Sequence, residues 1–326
     1  MIDRIAKPDD FSFNPSPLIR NRHLQSTLAS AHIRNIGDNS LQKNSQEIII
    51  NTSCNSRLLS FLSRRPDAKG LIILLHGWEG SSSSAYILAA GNFFYNAGFS
   101  VCRLNLRDHG DSHHLNEGLF HGALIEETFD AVSRIAQTAD NPHIYIIGFS
   151  LGANFALRIG GRHAQTPVNG LKHIFAISPP LDPYKTTLAI DNGFFFYRKY
   201  FLKKWKRSLL KKQQLFAHKY DFGKLLHAKT CMELTKYIMP YFPEFPSHRD
   251  YFNLYTLKND FFQRLHVPVT IIISQDDPVI PLDDFSELRE NNFFKISRQR
   301  YGGHCGFLDI LPLSCWHQRI IAAMID

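Results

Sequence analysis

Three strand-length runs, apolar or β-branched almost throughout, constrain this chain more than any other feature: Leu71-Ile72-Ile73-Leu74-Leu75, His143-Ile144-Tyr145-Ile146-Ile147 and Val267-Pro268-Val269-Thr270-Ile271-Ile272-Ile273-Ser274. A strand with one wet face alternates polar and apolar residues, whereas a short continuous run bounded by turns is buried on both faces. Glu47–Ile50 and Arg57–Leu62 read as two leading strands, and strand then alternates with helix as far as Phe175-Ala176-Ile177-Ser178. Such alternation predicts an α/β fold, a mostly parallel sheet with helices on both faces. The rhythm stops from about Pro179 to Phe262, where only helical patterns and loops are found, and restarts at Val267. The chain therefore divides into an extension packing on the core (1–45), a first core part (46–178), a helical cap or lid insertion (179–262) and a second core part (263–326).

Directly after the second run comes Gly148-Phe149-Ser150-Leu151-Gly152, and Ala153–Ile159 behind it reads as a helix. Strand, G-x-S-x-G turn and helix together predict a nucleophile elbow. The turn forces Ser150 into strained backbone, and side chains in place of the two glycines would collide with strand and helix. The hydroxyl then stands at the sheet's C-terminal edge, over the positive end of the helix.

A serine hydroxyl is a poor nucleophile without a base and a group to orient that base. The third run leads into Gln275-Asp276-Asp277-Pro278-Val279-Ile280-Pro281, and a carboxylate just past a sheet strand is where the orienting acid should sit. Asp277, two residues before an apolar pair and a proline, is the preferred acid, and Asp276 reads as a turn or cap residue. Phe293–Arg298 looks like a last strand, followed by Tyr301-Gly302-Gly303-His304-Cys305-Gly306-Phe307. The chain has 16 histidines, and position alone singles out His304 as the base. At the end of the first run, His76-Gly77-Trp78-Glu79-Gly80 turns backbone toward the same edge. The N–H groups of Trp78 and Leu151 are the expected donors to a developing oxyanion. The His76 ring reads as a packing residue, and Glu79 reads either as an ordinary loop carboxylate or as a group fixing the loop.

In this order the four stretches resemble the α/β-hydrolase superfamily. Arg107-Asp108-His109-Gly110-Asp111-Ser112 resembles its "R-x-H-G-x-S" loop, with Asp108 where glycine is common. A narrower resemblance is to the YheT-like hydrolases. Asn21-Arg22-His23-Leu24-Gln25-Ser26 is similar to their "N-x-H-L-Q-T" segment, with Ser26 for threonine. His76–Gly80 is similar to "H-G-L-E-G", with Trp78 for leucine; Asp276–Pro278 matches "D-D-P" and Gly302–Phe307 matches "G-G-H-x-G-F". The resemblance implies the α/β-hydrolase fold and a carboxylic-ester hydrolase acting through Ser150, His304 and Asp277. In related eukaryotic members it extends to acyl transfer and phospholipid cleavage.

Composition bounds the alternatives. With 44% hydrophobic and 20% charged residues this is an ordinary soluble globular chain. The Met1–Asp10 stretch has no apolar core, which argues against a secretory signal, and no run reaches the ~18 apolar residues a spanning helix needs. The five cysteines are odd in number and form no C-x-x-C pair, so free thiols in a cytoplasmic protein are the simplest reading. Cys305, beside His304, reads as a packing residue. His109, His113, His114 and His121 lack metal-ligand spacing and read as a solvated loop. No metal or organic cofactor is expected.

Within the insertion, Asn192–Lys212 is aromatic and basic and contains no acid; Tyr197, Phe201, Trp205 and Leu209 share one helical stripe, with Lys199, Lys203, Lys206 and Arg207 largely off it. Two readings follow: a lid helix packed on the core with its charges in solvent, or a peripheral surface touching anionic lipid. The net charge of +8 also admits nucleic acid, but no nucleic-acid motif is present. The aromatics of the same helix, with Tyr237, Tyr241, Phe242 and Phe245, read either as the lining of an acyl pocket or as plain core. The expected partner is a small-molecule or lipid ester. An acyltransferase using the same acyl-enzyme, or a non-catalytic binding protein on the same fold, are the alternatives. A Ser150→Ala exchange separates the last from the others.

Overall fold

The computed structural model describes residues 12–31, 40–310 and 313–325, so the Met1–Asp10 stretch lies outside the described residues. Eight strands form the main sheet: β1 (Ser45–Asn51), β2 (Arg57–Ser63), β3 (Leu71–Leu75), β4 (Ser100–Leu104), β5 (Ile144–Phe149), β6 (Leu171–Ile177), β7 (Val269–Ser274) and β8 (Phe294–Gln299). Their order is β1-β2-β4-β3-β5-β6-β7-β8. β1, β2 and β4 pair antiparallel, and every pairing from β4 through β3 to β8 is parallel.

The apolar runs are continuous because both faces of these strands are covered. In β3, Leu71, Ile73 and Leu75 join one hydrophobic cluster and Ile72 and Leu74 the other, and β5 divides in the same way. Successive side chains of a strand point to opposite faces, so only a strand covered on both sides needs apolar residues at every position. A fully buried Leu or Ile contributes roughly 1.5–3 kcal/mol.

On the described N-terminal side lie α1 (Arg22–Ala29) and α2 (Ser40–Lys43). Helices α3 (Ala85–Asn96), α4 (Ile125–Gln137) and α5 (Leu151–His163) follow β3, β4 and β5. Residues of α4 and α5 belong to one cluster and residues of α3 to the other. Ser84 holds the N-cap position of α3, but its Oγ accepts the Ser81 N–H instead of an α3 amide. Between β6 and β7 the described residues are helical and irregular: α6 (Pro183–Asn192), α7 (Phe195–Leu215), α8 (Cys231–Ile238), α9 (His248–Asn253) and α10 (Asn259–Phe262). After β8, a short pair that the pattern does not announce, β9 (Leu308–Ile310) with β10 (Leu313–Cys315), leads into α11 (Trp316–Ile325).

Helix α7 turns its aromatic stripe inward: Tyr197, Phe201, Trp205 and Leu209 all pack on the core cluster. Its cations do not simply face solvent. Lys206 Nζ donates to Ala228 O, and Lys204 Nζ to Glu79 O. Lys212, 1% exposed, donates to Asp108 Oδ1 at 2.7 Å and to the carbonyls of His113 and Asn116. All three ammonium hydrogens are thereby used, as a buried charge requires. Burial opposes charge at both ends, pushing Asp108 up to about 6 and Lys212 down. Asp108 also holds φ +57°, the left-handed conformation that glycine serves elsewhere and that aspartate tolerates better than most residues. Its other oxygen accepts the Phe120 N–H.

Candidate active site

The strand order reverses at β3, so the C-terminal ends of β3 and β5 open a crevice at the switch point. Leu75 pairs with Gly148, which brings the two following turns level. Ser150 has φ 52° and ψ −121°, and its N–H donates to Ile177 O at 2.8 Å. A Cβ on Gly148 would lie 2.4 Å from Gly152 O, and one on Gly152 would lie 2.4 Å from both His76 O and Leu75 O. The two glycines are therefore required by contact with backbone, which has no flexible end to move away.

The loops after β7 and β8 converge on this serine. His304 Nε2 lies 3.0 Å from Ser150 Oγ, and His304 Nδ1 lies 3.0 Å from Asp277 Oδ2. Asp277 Oδ1 accepts the Val279 and Ile280 N–H groups, which fixes the carboxylate plane. Asp276 faces elsewhere: its Oδ1 accepts the Gly303 N–H, while Ser274 Oγ donates to Gly303 O. Burial is the largest single influence on His304 and pulls its pKa down, but the Asp277 carboxylate and, after it, Cys305 together raise the imidazole well above 6.5.

The hold that α1 keeps on the histidine loop is absent from any local pattern. Ser26 Oγ accepts the His304 N–H at 2.8 Å and donates to Arg22 O. Fully buried Gln25 accepts the Leu308 N–H with Oε1 and donates through Nε2 to Leu308 O and Ile19 O. The only signal for this in the sequence is the Asn21–Ser26 segment itself. If His304 is the base, removing a side chain that holds it should lower the rate with little change in substrate binding. Ser26→Ala is expected to lower kcat about 10-fold, the equivalent of ~1.4 kcal/mol, with KM nearly unchanged. Ser26→Thr, which keeps the hydroxyl, should stay near wild type. Steady-state kinetics of both variants check this, and equal rates in Ser26→Ala and wild type would remove the role.

On the other side of Ser150, His76 is buried and neutral, its pKa driven well down by burial. Its Nε2 accepts the Leu106 N–H at 3.1 Å, which leaves Nδ1 to donate to Gly77 O at 2.8 Å. Gly77 N–H is taken by the Tyr86 hydroxyl. The next amide, Trp78 N–H, has no partner within the described residues. Leu151 is the first residue of α5, so its N–H has no helical carbonyl behind it. The Trp78 ring stacks on Phe201 at 5.2 Å and meets Trp205 edge-on, so α7 holds this loop from above. Glu79 contributes its carbonyl to Lys204, and burial pushes its carboxyl up to about 8.

Three of the four clustered histidines are not on a solvated loop. His109 and His113 are buried, and His121 is largely so; burial holds them neutral, at about 4, 3 and 3. His109 packs against the His76 and Phe120 rings, His113 Nε2 meets Ser208 Oγ, and His121 lies among Phe242, Phe245 and Tyr251. They serve as packing and hydrogen-bonding groups that seat the insertion, and His114 alone of the four is exposed. Cys305 is buried against Ile177 O and Ser178. Among the described residues, no cluster of three or more His, Cys, Asp or Glu is arranged to hold a metal.

Two cavities meet at Ser150. A chamber of about 100 Å³ lies under the insertion, lined by Phe120, Leu151, Ile190, Trp205, Met239 and Phe242 among others. Of the insertion aromatics Tyr237, Tyr241, Phe242 and Phe245, only Phe242 lines it. Tyr237 is exposed, with its hydroxyl on Glu233, and the Tyr241 hydroxyl bonds Asp221 O. A cleft of about 900 Å³ opens on the other side, lined by His304, residues of α1, the turn after β3, and Phe196, Tyr197 and Tyr200 of α7.

Known proteins share this architecture. The family model described as the alpha/beta hydrolase fold matches residues 70–213. The chain is 23% identical over 252 residues to a monoacylglycerol lipase of Saccharomyces cerevisiae, covering 74% of this chain and 55% of the relative. It is 25% identical over 199 residues to the mouse monoacylglycerol lipase ABHD2, covering 55% of this chain and 45% of the relative. The chain thus spans about half the length of these relatives. Among solved structures, the Pyrococcus furiosus esterase Pf2001 superposes with a TM-score of 0.58 at 16% identity, covering 89% of this chain and 94% of the esterase. No helix among the described residues is long and apolar enough to cross a membrane. The sheet order, the turn at Ser150 and these likenesses together make the chain an α/β-hydrolase-fold protein.

Proposed function

We propose that this protein is a serine hydrolase of carboxylic esters. The observation that carries the reading is the line from Ser150 Oγ through His304 to Asp277, with 3.0 Å at each hydrogen bond. In the first half-reaction Ser150 Oγ bonds to the ester carbonyl carbon and its proton passes to His304 Nε2. The carbonyl oxygen becomes an oxyanion beneath the Trp78 and Leu151 N–H groups, each worth roughly 3 kcal/mol of barrier. The carbon–oxygen bond to the alcohol then breaks, and the alcohol leaves with the proton held on Nε2. Water, deprotonated by the same nitrogen, attacks the acyl-enzyme and releases the acid. Residues 179–262 act as the cap over this site. The lipase and esterase names of the relatives support an ester substrate, and the Asn21–Ser26, His76–Gly80 and Gly302–Phe307 segments support the narrower likeness to YheT-like hydrolases. A fluorophosphonate probe should label Ser150, located by peptide mapping, and p-nitrophenyl butyrate should be turned over. No labelling and no turnover together would sink the reading.

The rim of the cleft favours a second role beside the first. Phe194, Phe195, Phe196 and Tyr200 are 44–58% exposed, next to the exposed Lys199 and Lys203, and α7 carries no acid. Aromatic side chains ringed by cations fit the headgroup boundary of an anionic bilayer. The protein is expected to sediment with phosphatidylserine-containing vesicles and to stay behind with pure phosphatidylcholine. Equal recovery from the two would remove this role.

A further inference from the structure

The two cavities differ ninefold in volume, and the position of His304 tells which half of an ester enters each. The inference rests on the serine-hydrolase reading above. When the tetrahedral intermediate collapses, the departing oxygen must lie within hydrogen-bond reach of the proton on His304 Nε2. His304 lines the large cleft and does not line the chamber. The acyl carbon chain extends from the carbonyl carbon away from the departing oxygen. It therefore points toward Leu151 and the chamber beneath the insertion. Both spaces mix apolar and hydroxyl-bearing walls: the chamber has Phe120, Trp205 and Phe242 with Thr186, Thr187 and Thr235, and the cleft has Phe196 and Tyr200 with Ser26 and Ser84, so the assignment rests on the position of His304 and on size.

We infer that the preferred substrates are esters of a short- or medium-chain acid with a bulky alcohol. The chamber has about 100 Å³ against about 900 Å³ in the cleft, so length is limited on the acyl side. Most of its walls are side chains of the insertion, joined by Trp78, Phe120, Leu151 and Val279 from the loops and helix around Ser150. The cleft, at about 900 Å³, lies at the upper end of the range for small-molecule sites and imposes no comparable limit on the alcohol.

Two ester series test the assignment. One holds p-nitrophenol fixed and runs the acyl chain from acetate to palmitate. The other holds butyrate fixed and runs the alcohol from methyl to naphthyl and dodecyl. Wild type should lose at least 10-fold in kcat/KM between the C8 and C12 acids, and no such loss should accompany the larger alcohols. Phe242→Ala, at the chamber wall, should raise the C12-to-C4 ratio at least 10-fold. Met239→Ala is the second variant, should Phe242→Ala fail to fold. Phe196→Ala, in the cleft, should alter the alcohol series and leave the acyl order as it is. Palmitate or 1-monooleoylglycerol turned over faster than the butyrates overturns the assignment, as does an acyl order that responds to Phe196→Ala and not to the chamber variants. Labelling of Ser150 in the same preparation keeps these failures distinct: a labelled enzyme with the reversed order loses only the assignment, whereas an unlabelled and inactive one loses the serine mechanism with it.

Discussion

Replacing Ser150 by alanine is expected to lower ester turnover by about 10⁴- to 10⁶-fold and to leave the fold in place. The proposed mechanism has one nucleophile, so its removal leaves only the oxyanion donors and substrate positioning, and these sustain a small residue of catalysis. The fold should tolerate the change because the contacts around the turn are made by backbone. Ser150 N–H bonds Ile177 O, and its carbonyl receives Ala153 and Asn154. Alanine inherits the positive φ with no more strain than serine, and among the described residues the lost hydroxyl's hydrogen bond is to His304. An unfolding free energy from urea melts within about 1 kcal/mol of wild type, together with loss of both turnover and fluorophosphonate labelling, is the expected pair of results. Turnover that survives in the variant would place the chemistry elsewhere.

Asp277→Asn should cost about 10³- to 10⁴-fold in kcat and should also move the pH profile. In wild type burial pulls the His304 pKa down, and the Asp277 charge leads the influences, Cys305 among them, that together raise it well above 6.5. Only neutral imidazole accepts the Ser150 proton, so kcat/KM should rise with pH along a limb lying above 6.5. Asparagine removes the leading one of these, so the limb should move to lower pH. The same shift has a stability sign. A histidine whose pKa is raised on folding contributes stability that is fully present below about 6.5 and fades as pH climbs through the raised value. The variant should lose that acidic-side contribution. Rate profiles from pH 5 to 10 for both proteins check the first point and urea melts at pH 6 and 9 the second. A limb at the same pH in both proteins would falsify the proposed action of Asp277 on the base.

What could be read before folding was what strands and turns impose locally. Leu71–Leu75 and Val269–Ser274 announce themselves because burial on two faces permits no polar alternation. Ser150 is legible because Gly148 and Gly152 stand where any Cβ would strike backbone. His304 and Asp277 follow from their places after β8 and β7, where parallel strands must deliver their loops to one edge. The rest depends on partners far apart in the chain. A lysine in a basic helix looks solvated until Asp108, 104 residues away, takes Lys212 into the interior. His109 and His113 look like loop residues until α7 and the β3 turn close over them. Neither cavity has a local sequence signature, because each is the space left between the insertion and the sheet.

The bond between Ser26 and the His304 amide also has a consequence for biosynthesis. Its two ends are separated by 278 residues, so a ribosome adding roughly 5–20 residues per second makes the first end some tens of seconds before the second. During that interval the growing chain acquires Ser150, the proposed nucleophile, yet the His304 imidazole does not exist. An unfinished chain therefore carries Ser150 without its proposed base, and the reactivity proposed for it can arise only when translation has passed the final strand of the main sheet.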